Sequence, residues 1–355
     1  MTALSPIILT GNAAQRGAAH AVAAAPLADA IRAAMEQRAS EAGMVLKRAE
    51  AVRFLSAQTD FARRHCEPEM AEFEALASGL GLDPALAFAL MHLSILSGRF
   101  ETDGCTAWAR PLPGGGAILA KNRDLSGAHR NFQRVFLHRD PRAPGGAMLA
   151  VGTFGAPGVY SSGINAAGLA LADTAIEAPV HQIGWLRYFL MTRIALTCTT
   201  VEEACSLVAS LRHAGGGSLL LADASGAVAT VELRAEGPII DRTAPAARTN
   251  HFLSEPLADT AARQSVAAFR STTGRLEALT QALAGGLGLK AEPTVRAAMA
   301  THSDEKIEGL CRHGHDDRSH TVSAAIYDTQ GVTLEFADGY PCCAEWRRYV
   351  LGGEP

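Results

Sequence analysis

The sequence predicts an α+β fold in which two antiparallel sheets carry helices on their outer faces. Apolar residues recur at helical spacing through the first hundred positions. From Cys105 they fall instead into short runs broken by Gly, Asn and Asp, the texture of strands and hairpins. Helical and strand textures then return in blocks rather than in strict alternation, the pattern of an α+β domain.

In the first block, Leu27, Ile31 and Met35 share one helix face, as do Met70, Phe73 and Leu76 before a stop at Gly79. Asp83–Pro84 supplies an acidic N-cap and a first-turn proline for a helix carrying Leu86, Leu90 and Leu93 towards Ser97 and Gly98. Strands are expected at 105–110 and 117–123 around Pro113–Gly116, at 132–138, at 148–154, and at 159–164 and 169–174 around the turn Asn165–Gly168. Helices follow at 185–196 and 201–211, the second with Thr200 and Glu203 as a capping box. A hairpin at 218–222 and 228–233, a helical return over 256–300 and a hairpin at 320–327 and 332–336 complete the reading. No repeat or linker divides the chain, so 1–355 is expected to be one domain.

The formal net charge is -4, which does not suit a nucleic-acid or anionic-membrane surface. No apolar run reaches the length of about eighteen residues that spans a bilayer, and Met1–Gly17 lacks a signal-peptide pattern. Cys66, Cys105, Cys198, Cys205, Cys311, Cys342 and Cys343 make an odd, scattered set, unlike a disulfide framework. A reduced, cytoplasmic protein without nucleic-acid or membrane partners is expected. The glycines at Gly215–Gly217 and Gly285–Gly288 lack phosphate-binding spacing and read as turns.

The chemistry concentrates in Asp103-Gly-Cys-Thr106 and Lys121-Asn-Arg-Asp124. A hairpin turn centred between Gly114 and Gly115 would set Cys105 directly opposite Asp124, with Cβ atoms about 4.5–5.5 Å apart. A thiol at a strand start would then meet a carboxylate, with an unhindered glycine just before it.

These motifs resemble the penicillin acyltransferase-like (acyl-coenzyme A:6-aminopenicillanic acid acyltransferase) family of N-terminal-nucleophile hydrolases. The likeness continues along the chain. Gly11 and Gly17 sit in a segment similar to the family's opening strand and helix, and Glu72–Gly81 resembles its helix ending in small residues. Gly163-Ile-Asn-Ala-Ala-Gly-Leu169, Thr249-Asn-His251 and Cys311-Arg312 match later family segments in order and spacing.

The resemblance implies a four-layer αββα sandwich, made as a precursor and cut between Gly104 and Cys105 into fragments 1–104 and 105–355. It implies Cys105 as nucleophile, Asp124 beside it, Asn250 as oxyanion stabiliser and Arg312 as an active-site cation. No metal and no cofactor are expected, because such a nucleophile carries its own base and the sequence shows no metal or nucleotide motif. The chemistry is coherent. Cleavage gives Cys105 an α-amino group of intrinsic pKa about 7.7–8.0, a base on the residue that carries the thiol. An amide N–H of Asn250 on the oxyanion is typically worth about 3–4 kcal/mol, and Arg312 suits a carboxylate, of the substrate or of Asp124. Self-cleavage uses the same sulfur on the Gly104 carbonyl, which glycine leaves accessible.

The chain departs from the family at His92-Leu-Ser-Ile-Leu96, where Asn-x-Arg-x-Glu is frequent. It departs again at Arg123, Leu125 and Ser126, where well-known members have tryptophan and further aromatic residues. Leu125 and Ser126 are expected to border the substrate pocket. The activity implied is amide hydrolysis of a small N-acyl compound, or acyl transfer from a thioester or amide to an amine.

Two other readings use residues outside this set. Cys311, His313, His315, Asp316, Asp317 and His320 are potential metal ligands, although no second cysteine stands at ligand spacing. An uncleaved cysteine hydrolase would pair Cys105 with His129 or His251. A third reading, a binding or assembly protein that keeps the fold without the activity, sits poorly with retention of Cys105, Asp124, Asn250 and Arg312.

Overall fold

The computed structural model describes residues 5–96, 104–178, 180–284, 292–304, 308–314 and 319–351. Strand β1 (Ile7–Thr10) leads into α1 (Ala13–Ala24), α2 (Ala28–Ala42), α3 (Ala49–His65), α4 (Glu67–Gly79), α5 (Pro84–Met91) and α6 (Leu93–Leu96). Next come β2 (Gly104–Pro111), β3 (Ala117–Leu125), β4 (Gln133–Arg139), β5 (Ala147–Thr153), β6 (Ser162–Asn165) and β7 (Ala170–Thr174). Helices α7 (Arg187–Thr197) and α8 (Val201–Ser210) precede β8 (Ser218–Ala222), β9 (Val228–Glu232), β10 (Ile239–Asp241) and β11 (Ala246–Arg248). Helices α9 (Leu257–Arg263), α10 (Val266–Ala284) and α11 (Glu292–Met299) then lead to β12 (His320–Asp328), β13 (Thr333–Asp338) and β14 (Trp346–Val350).

The N-caps read from the sequence are made, but the capping box is only half formed, because the Glu203 carboxylate takes the Thr199 N–H at 2.6 Å instead of that of Thr200. The Asp83 carboxylate accepts from the N–H groups of Ala85 (2.9 Å) and Leu86 (3.4 Å), and the Thr200 hydroxyl accepts from that of Glu203 (3.2 Å). Helix α5 stops sooner than expected because His92 leaves helical geometry and bonds the Phe88 carbonyl at 2.7 Å through Nδ1. The expected end at Ser97 and Gly98, and the glycines at 285–288, lie outside the described residues. Strands β10 and β11 escaped the sequence reading because three residues carry no usable alternation.

The strands form an eight-stranded sheet, ordered β1-β4-β5-β6-β7-β8-β9-β10, and a six-stranded sheet, ordered β11-β2-β3-β12-β13-β14. Pairing is antiparallel throughout except that β1 lies parallel to β4, where an antiparallel sheet was expected. Parallel neighbours need a crossover connection, and here the first helical block and the β2–β3 hairpin both intervene.

Three apolar clusters order the layers. Phe73, Leu76, Phe189 and Ile194 pack helices against Phe136, Leu171 and Leu219 of the larger sheet. Leu149, Ile164 and Leu220 on its other face meet Leu119, Tyr327 and Phe336 of the smaller sheet. Trp108, Ile118 and Ile326, on the far face of the smaller sheet, lie under Leu279, Val295 and Met299 of α10 and α11. The result is helix, sheet, sheet, helix: an αββα sandwich.

Two glycines let α1 lie close against α4. A Cβ on Gly17 would stand 2.2 Å from the Glu72 carbonyl oxygen, and one on Gly79 would stand 2.5 Å from the Ala21 Cβ. The small residues of Glu72–Gly81 thus serve helix packing. The same contact carries buried charge across to the sheets. Arg16 pairs with Glu72 at 3.0 Å and with Asp140 at 2.8 Å, while Glu72 Oε1 accepts the Gly158 N–H at 3.0 Å. Arg193 of α7 grips Glu69 of α4 at 2.8 Å.

Gly17→Ala is expected to destabilise the protein by about 1–3 kcal/mol, the usual range for overpacking a close contact. Urea denaturation checks it, and wild-type stability in that variant would show that α1 does not need the close approach.

Candidate active site

Strands β2 and β3 place the predicted residues, in a register one residue away from the sequence expectation. Gly104 pairs with Asp124 and Cys105 with Arg123, so Cys105 is not opposite Asp124. The cause is the turn. The Leu112 N–H donates to the Gly116 carbonyl at 2.9 Å, leaving Pro113, Gly114 and Gly115 as an odd-numbered tip. Gly114, Gly115 and Gly116 all take positive φ, at 102°, 108° and 70°, which side chains rarely adopt.

Because strand side chains alternate, one residue of slip moves a side chain to the other face. Cys105 therefore points between the sheets, on the side of Lys121 and Arg123. Asp124 points the other way, towards the outer helices with Thr106 and Asn122.

On the inner face the Arg123 guanidinium donates to Gln133 Oε1 (3.0 Å) and Thr153 Oγ1 (2.6 Å) of the larger sheet. Lys121 pairs with buried Asp173, which Arg187 also holds at 2.7 Å. Burial pushes the Cys105 thiol above its ordinary pKa; Lys121 and Arg123 pull it down, while Asp173 and Asp124 push it further up.

On the outer face one hydrogen-bonded line runs from β12 to Asp124. The Arg312 N–H donates to Thr321 Oγ1 at 2.8 Å, and the Thr321 hydroxyl donates to Asp124 Oδ1 at 2.8 Å. Asp124 Oδ2 is buried and has no hydrogen-bond partner among the described residues. Burial raises the Asp124 pKa, against the pull of Arg275 and Arg312. A Cβ on Gly104 would stand 2.9 Å from that Oδ2 and 3.1 Å from the Arg312 guanidinium, so glycine is the residue that fits between them. Among the described residues, no carboxylate comes within ion-pair distance of Arg312.

Asn250 reaches the site through the edge strand. β11 pairs Arg248 with Ala107, and continuing that register two residues brings Asn250 beside Cys105. Its Oδ1 accepts the Cys105 N–H at 2.9 Å, and its Nδ2 donates to the Ala175 carbonyl at 2.8 Å. Arg275, fully buried on α10, donates to the Cys105 carbonyl and to Thr106 Oγ1, each at 2.6 Å, and to Asn250 Oδ1 at 2.9 Å. With donors on both sides, the Asn250 oxygen must be the atom turned to Cys105.

Arg275 was missed from the sequence. It sits in a helix of mixed polarity where one arginine carries no signal, and only the fold brings it against a residue 170 positions away.

A cavity of about 470 Å³ is walled by residues that hold Cys105, although Gly104, Cys105 and Asp124 are not themselves on its wall. Asn250, Arg275, Arg123 and Arg312 line it, with Ile31, Met35, Phe73, Met91, Phe132 and Phe154 as apolar wall. Leu125 is on the wall; Ser126 is buried and is not. Ala175 lines the same space.

Of the two histidines of the uncleaved reading, His251 is engaged elsewhere and poorly basic. The ring of His251 bonds Thr272 Oγ1 at 3.0 Å, and burial brings its pKa down to about 4. His129 lines the cavity with its ring edge-on to Phe132.

Fold and site together define an acyl-transferring enzyme, of the kind that hydrolyses amides or passes acyl groups to amines. Residues 112–341 match the acyl-coenzyme A:6-aminopenicillanic acid acyl-transferase family, and the chain belongs to that family. No curated protein matches this chain. Among solved structures it is similar to a mutant of the conjugated bile acid hydrolase from Clostridium perfringens, at 11% identity and TM-score 0.42, over 70% of this chain and 97% of that one. It is also similar to penicillin V acylase from Agrobacterium tumefaciens, at 15% identity and TM-score 0.40, over 70% of this chain and 86% of that one. Both likenesses are too distant to carry a substrate across.

Arg275→Gln strips the Cys105 carbonyl and Asn250 Oδ1 of a charged donor, a loss of about 1.5–3 kcal/mol, or roughly 10- to 150-fold in rate. Acyl-transfer turnover of the folded variant is expected to fall by that amount with KM little changed. Unaltered turnover would remove Arg275 from the site.

Proposed function

We propose that the protein is a self-processing N-terminal-nucleophile amidohydrolase in which Cys105 is both the cleavage site and the nucleophile. The observation that carries this reading is the grip on the Gly104–Cys105 peptide. Asn250 holds the N–H of that peptide, Arg275 holds the Cys105 carbonyl of the next one, and the buried Asp124 carboxylate, with one oxygen unpartnered among the described residues, crowds Gly104.

In processing, the Cys105 sulfur attacks the Gly104 carbonyl carbon. The C–N bond breaks, its nitrogen takes the thiol proton, and a thioester joins Gly104 to Cys105. Water then hydrolyses the thioester, releasing the Gly104 carboxylate and the free thiol. The new α-amino group keeps Asn250 Oδ1 as acceptor, and Asp124 Oδ2 is the acceptor left for its additional protons. Fragments 1–104 and 105–355 stay together because Arg16–Asp140, Glu69–Arg193 and a shared apolar core join them.

In turnover, the α-amino group takes the thiol proton as sulfur attacks the substrate carbonyl, then hands it to the departing amine. One Asn250 Nδ2 hydrogen is engaged by Ala175, and the other is the oxyanion donor in this reading, which the place of Asn250 on the cavity wall supports. Water releases the acyl group; an amine in its place would make the reaction a transfer. The apolar wall takes the acyl chain of a small N-acyl amide, and Arg312 takes a carboxylate on the amine side. Leu125 borders that acyl chain. Each step uses the chain's own residues, with no cofactor.

Cys105→Ala is expected to give a folded, single, inactive chain. Purified enzyme is expected to release amines from N-acyl amino acids with no thioester donor present; release only with an acyl thioester and an amine acceptor would make it a transferase. Raising pH exposes more of the buried thiol as thiolate, so precursor processing should accelerate about tenfold per pH unit from about pH 6 to 8. A flat profile would detach cleavage from the Cys105 thiol.

A further inference from the structure

Away from the cavity, the segment that carries Arg312 closes a second cluster. His302, Cys311, His313 and Cys342 each offer a ligand atom, and these four atoms lie within 4.8 Å of one another. The sequence objection to a metal here was the missing second cysteine. The fold supplies it from the turn between β13 and β14, and supplies His302 from the other side.

Backbone contacts hold the four together. The Cys311 N–H donates to the Thr301 carbonyl at 2.8 Å, fixing His302 beside Cys311. His313 bridges to His320 at the start of β12. The N–H groups of Cys343 and Ala344 both bond the Tyr340 carbonyl, and Trp346 Nε1 donates to the Pro341 carbonyl at 3.2 Å, bracing the turn that presents Cys342. The His313 ring stacks on Tyr340 at 3.9 Å, and its Nε2 stands 3.1 Å from Cys342 Sγ. The Tyr340 hydroxyl is 2.6 Å from His320 Nδ1, so the stacking ring is itself held.

We propose that His302, Cys311, His313 and Cys342 bind one zinc ion in a closed, structural Cys2His2 site. Tetrahedral zinc with bonds of about 2.3 Å to sulfur and about 2.0–2.1 Å to nitrogen puts its ligand atoms about 3.3–3.8 Å apart. The cluster needs to contract by about 1 Å at its widest. Binding releases both thiol protons, leaving two thiolates and two neutral imidazoles around Zn²⁺ with no net charge. All four positions are filled by protein, so no place is open for water or substrate. The ion would tie the segment after α11 to the β13–β14 turn and so hold the stretch from which Arg312 reaches Gly104. It takes no part in the acyl chemistry.

The experiment uses the full chain, produced with zinc chloride and purified under reducing conditions, then dialysed free of loose metal. Elemental analysis is expected to find one zinc per chain, and replacement by cobalt(II) should give thiolate charge-transfer absorption. Cys342→Ser and His302→Ala, both at exposed positions, should each retain below about one tenth of an equivalent, whereas Cys343→Ser, one residue away, keeps the full complement. Zinc retained equally by Cys342→Ser, wild-type protein without zinc, or an intact mass two hydrogens low from a Cys311–Cys342 disulfide would each overturn the site.

Discussion

The register of the six-stranded sheet is the constraint from which the site follows. β2 is paired on one side by β3 and on the other by β11, and both pairings act on the same peptide. One sets Asp124 across from Gly104; the other, prolonged past Arg248, brings Asn250 to the Cys105 N–H. A shift of one residue in either would separate the amide oxygen from its donor or turn the carboxylate away. The three-glycine turn at 114–116 therefore has a role at a distance, since its odd-numbered tip fixes the pairing that reaches Gly104.

Helix α10 completes the arrangement from outside the sheet. Arg275 is the only part of the grip that binds both the Cys105 carbonyl and Asn250, so it couples the two strand pairings. Burial, with Arg312 close by, brings its pKa down to about 10 against the opposing pull of Asp124, still well above neutrality. It therefore stays a cation while it holds two oxygens. Asp124, by contrast, has one buried oxygen without a hydrogen-bond partner among the described residues, an arrangement that costs stability.

Much of this was legible in the sequence, but unevenly. Blocks of helical and strand texture suggest two sheets under helices. The family resemblance implies the αββα sandwich and points to Cys105, Asp124 and Asn250, and the fold brings those three together on or just past neighbouring strands. The exact facing of Cys105 was not legible, because a turn flanked by glycines gives no unique centre and a side chain reverses with each residue of slip. Arg275, His302 and Cys342 gave no local sign at all. Each acts with partners brought by the fold from 29 to 170 positions away or from across a loop, and residue spacing along a chain does not encode that. Arg312 shows an intermediate case, marked by its Cys311 neighbour yet placed by its backbone bond to Thr321.

The central claim is that the Gly104–Cys105 bond is the one the protein breaks in itself. Intact mass spectrometry of the active wild-type enzyme under denaturing conditions tests it most directly. Two species are expected, their masses together exceeding the precursor by one water, with the larger beginning Cys-Thr-Ala-Trp. Full activity in a single uncleaved chain would contradict the account and return the nucleophile to an internal cysteine.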